Sequence, residues 1–433
     1  MSSYERLIEA VESIPVIDTH EHLAPEPYWA GTDDFFTLLS PYTVDVLTAA
    51  GMPVHEWAAT QNKSLPVSTR WALLEPYLPL VRHTRVFRVV DRVVRGRYGL
   101  RAYTADEIAR ISPLIAADGT PDGYVRLCRE AGIRATMTFL SFDCHKLMGG
   151  SVMIPVPTVS DIHFKDPGML TRLSGVTGVP VTSFDTLLAS IDRLFADYKA
   201  AGIRAIKFGS AYRRRLDYQP TARADAERVF TEVLRTPRYG DIQMCGAVPN
   251  GFSDAFLRPL DDYLAFYMVT LAGQYGMNVF FHCGIHAWNG NDPDAAKVSG
   301  LRTLIALHPH VRFTLLHAGY PYVDDALLLA KYYPNVTLNL TWLPVLDRPA
   351  AVDLIRRLIE LLPVNKVEGF GGDYCTLSLA VEHLRMGRET LAEALAFCVD
   401  NGEMTLDEAI GIIRAWLFEN PRSNYRLEVS AHD

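Results

Sequence analysis

The chain has 433 residues, of which 49% are hydrophobic, 21% are charged and 10% are aromatic, and its formal net charge is −8. A chain of this length buries a large core, and its composition excludes a disordered chain, a collagen-like repeat and a small disulfide scaffold. The 42 Lys and Arg residues are outnumbered by 50 Asp and Glu residues, which argues against a nucleic-acid groove or an anionic-membrane surface.

Cysteine usage and hydropathy predict a soluble, cytoplasmic protein. The six cysteines include no C-x-x-C pair, and we expect reduced and mostly buried thiols at Cys128, Cys144, Cys245, Cys283, Cys375 and Cys398. Residues 1–12 carry several charges and contain no signal-peptide apolar stretch. Nowhere do 18 uninterrupted apolar residues occur, so we expect no transmembrane helix.

Short apolar, β-branched runs alternate along the chain with longer amphipathic stretches, which favours a parallel sheet wrapped by helices. Eight such runs are found, and eight is the number that a closed barrel needs. Pro155 and Pro157 make the third run a poor ladder member. We therefore predict an α/β fold, a TIM-like (β/α)8 barrel, with strands at Ile14–Asp18, Ile133–Leu140, Val152–Val156, Ile203–Phe208, Asn278–Phe281, Val311–Leu316, Val336–Leu340 and Val367–Phe370.

Helical periodicity is found between the later strands, at Phe184–Ala200, Leu257–Tyr275 and Ala326–Tyr333. After Asp373 the chain is predicted to be helical to about Asn420, where Pro421 ends the last helix.

Two segments are too long for ordinary barrel loops. Residues 23–132 are predicted to form a mostly helical cap inserted after strand 1, with helical pieces at Phe35–Ala50 and Thr69–Val81. A second long loop, Tyr212–Phe256, follows strand 4. Because no linker or repeat interrupts the pattern, residues 1–433 are predicted to form a single domain.

Polar side chains lie at or just beyond the ends of five predicted strands. His20 and His22 are two residues apart, so both imidazoles project to the same side while the chain stays extended. Neutral imidazoles that converge on one point suit a divalent transition metal. The other positions are Lys207 in an otherwise apolar strand, His282, His317, and Asp373 after two glycines.

Each of these positions also has a structural interpretation. A lone histidine at the end of an apolar strand is more often a hydrogen-bonded core residue than a ligand. Lys207 could close a surface strand, and Asp373 could cap the helix that follows it. The joint occurrence of all these residue types at one barrel rim favours a metal site.

The order of these residues resembles that of the amidohydrolase superfamily, and the second half of the chain resembles its glutamine-synthetase-associated, fluG-type branch. The resemblance is carried by the opening Ile17–His22 and by five motifs, at Lys207–Arg213, Pro259–Leu264, His282–His286, Leu316–Tyr322 and Tyr333–Leu338.

The resemblance implies a metal centre. His20 and His22 would be ligands, His282 would be a further ligand, and Asp373 would complete the site and accept a proton from the water that the metal activates. Lys207 matches a position where some members carry a carboxylated lysine that bridges two metals, although it could equally contact an anionic substrate. The cofactor would be one or two divalent ions, with zinc and a single ion favoured.

The resemblance also implies roles around the metal. His317 would bind a second metal or polarise the scissile carbonyl, and it joins Asp373 as a catalytic candidate. Arginine forks suit carboxylates and aromatic rings pack on carbon skeletons, so the substrate-binding candidates are Arg213, Tyr212, His286, Tyr320 and Trp342, each of which could equally be a packing residue.

The sequence thus predicts a metal-dependent hydrolase that cleaves a C–N or C–O bond of a small, carboxylated substrate. Two alternatives stay open: the same fold and metal used for decarboxylation or uronate isomerisation, and a catalytically silent binding or scaffold barrel. We expect a small-molecule substrate, neither nucleic acid nor membrane as a partner, and self-association as a possibility.

Overall fold

The computed structural model describes residues 1–25, 30–147, 152–166, 168–236 and 252–431. Eight strands form one sheet in the order β1 to β8, and each neighbouring pair is parallel. Their bounds are Val16–Glu21 (β1), Ile133–Ser141 (β2), Met153–Thr158 (β3), Ala205–Phe208 (β4), Asn278–Phe281 (β5), Phe313–Leu315 (β6), Val336–Asn339 (β7) and Val367–Glu368 (β8). The predicted barrel fold is confirmed.

The first and last strands meet through backbone hydrogen bonds just beyond the end of β8. The amide of Asp373 donates to the carbonyl of His20 (2.7 Å), and the amide of His22 donates to the carbonyl of Tyr374 (3.0 Å). Because these bonds join the opening histidines to the late aspartate, closure of the barrel itself assembles the predicted site.

Helices surround the sheet. They are Ser3–Glu12 (α1), Thr43–Ala49 (α2), Val54–Gln61 (α3), Val67–Leu74 (α4), Leu78–Val81 (α5), Arg85–Arg92 (α6), Ala105–Asp118 (α7), Pro121–Ala131 (α8), Met169–Thr177 (α9), Phe184–Ala200 (α10), Arg223–Arg235 (α11), Asp254–Tyr275 (α12), Arg302–Leu307 (α13), Val323–Tyr332 (α14), Leu343–Leu346 (α15), Arg348–Leu361 (α16), Leu377–Asp400 (α17), Leu406–Arg414 (α18) and Asn420–Tyr425 (α19). Within the described ranges, none of them is both long and apolar enough to cross a bilayer.

The insertion after β1 carries helices α2 to α8, and its action as a cap stays a prediction. Its predicted helices are interrupted at prolines: Pro41 separates a 3-10 turn at Thr37–Leu39 from α2, and Pro76 separates α4 from α5. Proline lacks the amide hydrogen of a helical residue and restricts the residue before it, so neither piece runs on as one helix.

Three further sequence predictions can be compared with the structure. The predicted end of the last helix at Pro421 is wrong: this proline lies in the first turn of α19, where a missing amide hydrogen costs little. The long loop after β4 contains α11, while residues 237–251 of it, and with them Cys245, lie outside the described residues. Pro155 and Pro157 are accommodated in β3, where both pair with β2.

The barrel interior contains a column of aromatic rings. Tyr425 of α19 stacks on Phe280 at 5.2 Å between centroids, and Phe280 contacts Phe139 at 5.1 Å. Phe139 in turn lies 4.2 Å from the ring of His20, so the C-terminal helix fills one end of the barrel and the histidines lie at the other.

Candidate metal centre

Three side chains converge at the open end of the barrel. His20 Nε2 lies 3.1 Å and His22 Nε2 lies 3.4 Å from the same oxygen, Oδ1 of Asp373. Among the described residues these three form the one group whose nitrogen and oxygen atoms could hold a metal ion together, all within 4.8 Å of one another. His20 and Asp373 are buried, whereas the side chain of His22 is 44% exposed and lies on the open side.

Local backbone geometry brings the aspartate to the histidines. Asp373 has a left-handed backbone (φ 62°), and the two preceding glycines lie so close to neighbouring side chains that neither position has room for a Cβ. Gly371 faces Thr341, and Gly372 faces Glu21. The glycine pair thus lets the chain approach its neighbours closely. Asp373 is no helix cap, because α17 begins at Leu377 after Thr376.

The donor set fits a divalent transition metal. Ligands about 2.0–2.1 Å from a tetrahedral ion lie about 3.3 Å from one another, which matches the two separations at Asp373. Burial lowers the pKa of His20 well below its ordinary value, so its ring is neutral and can coordinate. Burial alone would raise the pKa of Asp373, but its interactions with His20, His22 and His317 lower it well below the usual range.

His282 and His317 form a second, deeper pair of rings. His317 Nε2 lies 3.2 Å from His282 Nδ1, and the outer nitrogens face two carbonyls, of Ile285 (2.9 Å) and of Thr341 (3.2 Å). These three contacts need three hydrogens, while two neutral rings carry only two. One of the three contacts therefore lacks a hydrogen. The structure does not bring His282 into the three-residue cluster, and its predicted role as a ligand stays a prediction.

His317 also approaches the cluster. Its Nδ1 lies 3.8 Å from Oδ2 of Asp373, the oxygen that does not face the other histidines. Burial lowers the pKa of His317 to about 4, so the ring is neutral at physiological pH. Both ring nitrogens already face other groups, the carbonyl of Thr341 and Nδ1 of His282, and the predicted polarising role of His317 stays a prediction.

Lys207 points into the barrel from β4. Its Nζ lies 4.1 Å from the centroid of Phe139, and within the described part of the chain it has no hydrogen bond or ion pair. Burial lowers its pKa to about 7, while the negative charge of Asp373 opposes this shift. Its predicted carboxylation stays a prediction.

Two further carboxyls of β1, those of Asp18 and Glu21, accept hydrogen bonds from the backbone around the site. Asp18 Oδ1 accepts from the amides of His20 (3.2 Å) and Gly372 (3.1 Å), and Glu21 Oε2 accepts from the amide of Tyr374 (2.8 Å). Burial raises the pKa of Glu21 well above its usual range. These two carboxyls hold the segments that carry the ligands.

Of the predicted substrate-binding residues, two from the loops after β4 and β5 lie beside His282. The ring of Tyr212 lies 4.6 Å from that of His282, and its hydroxyl accepts from the amide of Ala287 (3.1 Å). The ring of His286 lies 5.6 Å from that of His282, and its Nε2 is 3.0 Å from the carbonyl of Ala211. Both rings border the open end of the barrel.

The other three candidates differ in position. Trp342 is buried, with its ring 5.8 Å from His317. Tyr320 donates to Asp347 (3.0 Å). The structure does not bring Arg213 to the cluster, because its guanidinium donates to the carbonyl of Ser160, and its predicted role stays a prediction.

Sequence reasoning missed Tyr42, which comes from the insertion. Burial, together with the nearby carboxylate of Asp373, raises the pKa of Tyr42 well above its usual range. Its ring lies 4.0 Å from that of Trp342. No motif surrounds this residue, so nothing in the sequence separates it from the other tyrosines.

The fold is a parallel barrel whose open end holds a group of side chains that could bind a metal ion. The amidohydrolase family profile matches residues 167–410, which is more than half of the chain, and the protein therefore belongs to the amidohydrolase family. His20 and His22 lie outside the matched segment, so their place in the site rests on the geometry above.

Known proteins resemble the chain in sequence and in fold. Protein fluG of Emericella nidulans is 29% identical over 259 residues, which cover 57% of this chain but only 29% of that relative's length. Uronate isomerase of Thermotoga maritima has the same fold at 13% identity, with a TM-score of 0.77 and 98% of both chains covered. Glucuronate isomerase of Caulobacter crescentus follows at 18% identity, with a TM-score of 0.74 over 98% of this chain and 94% of that one.

Proposed function

We propose that the protein is a metal-dependent hydrolase that cleaves a C–N or C–O bond in a small, carboxylated substrate. The observation that carries the proposal is the cluster of His20 and His22 on one oxygen of Asp373, at separations of 3.1 and 3.4 Å. Two nitrogens and one oxygen suit zinc, and three protein ligands are typical of catalytic zinc sites, which keep a further position for water or substrate.

A divalent ion held by these residues supplies Lewis-acid polarisation of a substrate oxygen and a water of lowered pKa. Asp373 is the proton acceptor of the site, because its carboxylate is ionised and one oxygen remains turned away from the two histidines. It then passes the proton to the leaving group. The buried phenol of Tyr42 lies near this carboxylate.

The carboxylated end of the substrate is assigned to Lys207. A buried amine without an ion pair is costly, and an anionic group of the substrate would compensate for its charge. Arg213 is the weaker candidate, since its guanidinium already serves Ser160 and lies 3.9 Å from Asp161.

Isomerisation of a uronic acid is the second candidate, and the pairing of two side chains favours it. A buried phenol near the carboxylate, Tyr42 near Asp373, offers a donor and acceptor pair that could move a proton between adjacent carbons of one substrate. Two of the proteins that share the fold are named as isomerases of such acids.

We further propose a cytoplasmic location, since the described cysteines are free thiols, as is usual in a reducing compartment. The expected partner is the small-molecule substrate.

The test begins with removal of the metal by a chelator, followed by addition of zinc, manganese or magnesium. Turnover of a panel of carboxylated amides, lactones and uronic acids should vanish and return with zinc or manganese, whereas magnesium, which prefers oxygen ligands, should restore little. The mass of the product in ordinary water separates the two candidates, because hydrolysis adds the elements of water across the cleaved bond and isomerisation yields a product of equal mass. Full activity in the metal-free protein would overturn both.

A further inference from the structure

A buried asparagine at the end of β7 joins three segments of the barrel. The amide nitrogen of Asn339 donates to Oγ1 of Thr19 at 2.7 Å and to Oε2 of Glu368 at 2.9 Å. Its carbonyl oxygen accepts from the backbone amide of Thr341 at 2.9 Å and from the hydroxyl of the same residue. All four hydrogen-bonding positions of this side-chain amide are therefore used, and the partners fix its orientation, because the Thr341 amide can only donate.

The contact with Thr19 supports the place where β1 meets the segment after β8. Thr19 directly precedes His20, and its hydroxyl donates to the carbonyl of Phe370 at 2.6 Å. Its backbone amide donates to the same carbonyl at 3.4 Å. Because Phe370 lies three residues before Asp373, Asn339 braces through one hydroxyl the two segments that carry the metal cluster.

The contact with Thr341 supports the turn that faces His317. The carbonyl of Thr341 lies 3.2 Å from Nδ1 of His317. The residue after it, Trp342, has a left-handed backbone with φ 66°, and so has His317 with φ 57°. A non-glycine residue keeps this conformation only where its surroundings hold it. The two hydrogen bonds from Thr341 to Asn339 are part of what holds this turn.

The direction of these hydrogen bonds determines which ring nitrogens carry hydrogen. A carbonyl can only accept, so in a neutral ring Nδ1 of His317 carries the hydrogen and Nε2 has none. That Nε2 then accepts from Nδ1 of His282 at 3.2 Å, so the second ring also carries its hydrogen on Nδ1. The contact left without a hydrogen is the one between Nε2 of His282 and the carbonyl of Ile285.

From this network we propose that Asn339 is a positioning residue of the metal centre. Through Thr341 it sets the Nδ1–H tautomer of His317 and, through that ring, of His282. Through Thr19 it keeps the segments of the metal cluster in place. Asn339 has no exposed surface, so it contacts neither substrate nor metal itself. The inference rests on the proposed function, because it names a residue that organises the same centre, but its main measurement requires no turnover.

The experiment records the ring-nitrogen NMR signals of the metal-free protein labelled with isotopic histidine. The signals of His317 and His282 are assigned by their loss in the His317→Gln and His282→Gln variants, and the wild type should show both rings as Nδ1–H tautomers. Asn339→Leu keeps the branching of the side chain but no polar atom. It should convert or average the His317 signals and weaken zinc binding by about 10- to 100-fold, the usual cost of losing an outer partner of a metal site.

Two further variants separate positioning from stability. Thr341→Val is milder, because it removes one of the two hydrogen bonds to Asn339, and it should shift the His317 signals in the same direction to a smaller extent. The matched control is Asn278→Leu, a buried asparagine at the start of β5 whose amide donates to the carbonyl of Asn424 at 2.9 Å. This variant should lower the unfolding midpoint but leave the tautomers and the zinc affinity within twofold of the wild type.

Wild-type tautomer signals in both Asn339→Leu and Thr341→Val would overturn the proposal, as would a wild type in which His317 carries its hydrogen on Nε2. Equal changes in Asn339→Leu and Asn278→Leu would also overturn it, because Asn339 would then act only through the stability of the fold. The proposed function fails separately, through full activity of the metal-free protein, and that result leaves the dependence of the tautomers on Asn339 as measured.

Discussion

Two buried carboxylates of the barrel, Glu368 and Asp373, have opposite surroundings. Glu368, at the end of β8, accepts from the amides of Asn339 (2.9 Å) and Asn424 (2.8 Å) and from the hydroxyl of Tyr425 (2.9 Å). Five residues later, Asp373 faces His20, His22 and His317. Burial raises the pKa of Glu368, while the histidines lower that of Asp373.

The difference teaches that burial of a charged group does not by itself indicate function. Glu368 accepts hydrogen bonds from neutral amide and hydroxyl groups, and this network fixes the C-terminal helix inside the barrel. Asp373 is surrounded by groups that can exchange a proton for a metal ion. The kind of donor around the carboxylate, rather than its depth, separates the two.

The largest expected effect comes from neutralising each carboxylate in turn. Asp373→Asn should lower turnover by about 10²- to 10⁴-fold, the range of general acid–base catalysis, without lowering the unfolding midpoint. Glu368→Gln should cost about 1–3 kcal/mol of stability, because its amide hydrogens face donors, and should leave turnover per folded molecule unchanged. Steady-state kinetics and urea unfolding of both variants check this, and a reversed pattern would contradict the comparison.

The next effect concerns metal affinity. His20→Ala and His22→Ala should each weaken zinc binding by more than about 100-fold, beyond what loss of an outer-shell partner costs. His282→Ala should retain stoichiometric metal, since its nitrogens face His317 and Ile285. Metal analysis after gel filtration decides this, and loss of zinc from the His282 variant would favour the wider ligand set that the sequence predicts.

The smallest effect concerns the dependence of stability on pH in the metal-free protein. Burial lowers the pKa of Lys207 from 10.5 to about 7, so between these values the unfolded chain holds a proton that the folded chain lacks. Folding therefore becomes less favourable as the pH falls from 10.5 to 7, and the penalty is constant below 7.

Lys207→Met removes this penalty. The variant should be more stable than the wild type by about 1–3 kcal/mol at pH 7, and the difference should shrink toward pH 10.5. Urea unfolding at several pH values measures it. A difference that is the same at all pH values would mean that Lys207 is paired or modified in the folded protein.

Much of this architecture could be predicted from local sequence. The apolar runs indicate the positions of all eight strands. Helix α10 has the predicted bounds, because its N-cap residue Ser183 and its buried face, which includes Leu187 and Ile191, are both local sequence signals. The polar residues at the strand ends could be predicted as one site because parallel strands of a barrel share one open end.

The sequence by itself thus determined the fold class and the residue types at the open end, since both depend on periodicity and on strand direction. Only the tertiary structure decided which of those residues meet, setting His20, His22 and Asp373 together and His282 apart. It alone also brought two residues of the insertion to this end of the barrel, with Tyr42 near Asp373 and Asp45 at Trp288. The physical reason is that these contacts join segments hundreds of residues apart, where packing and not local pattern sets the distance.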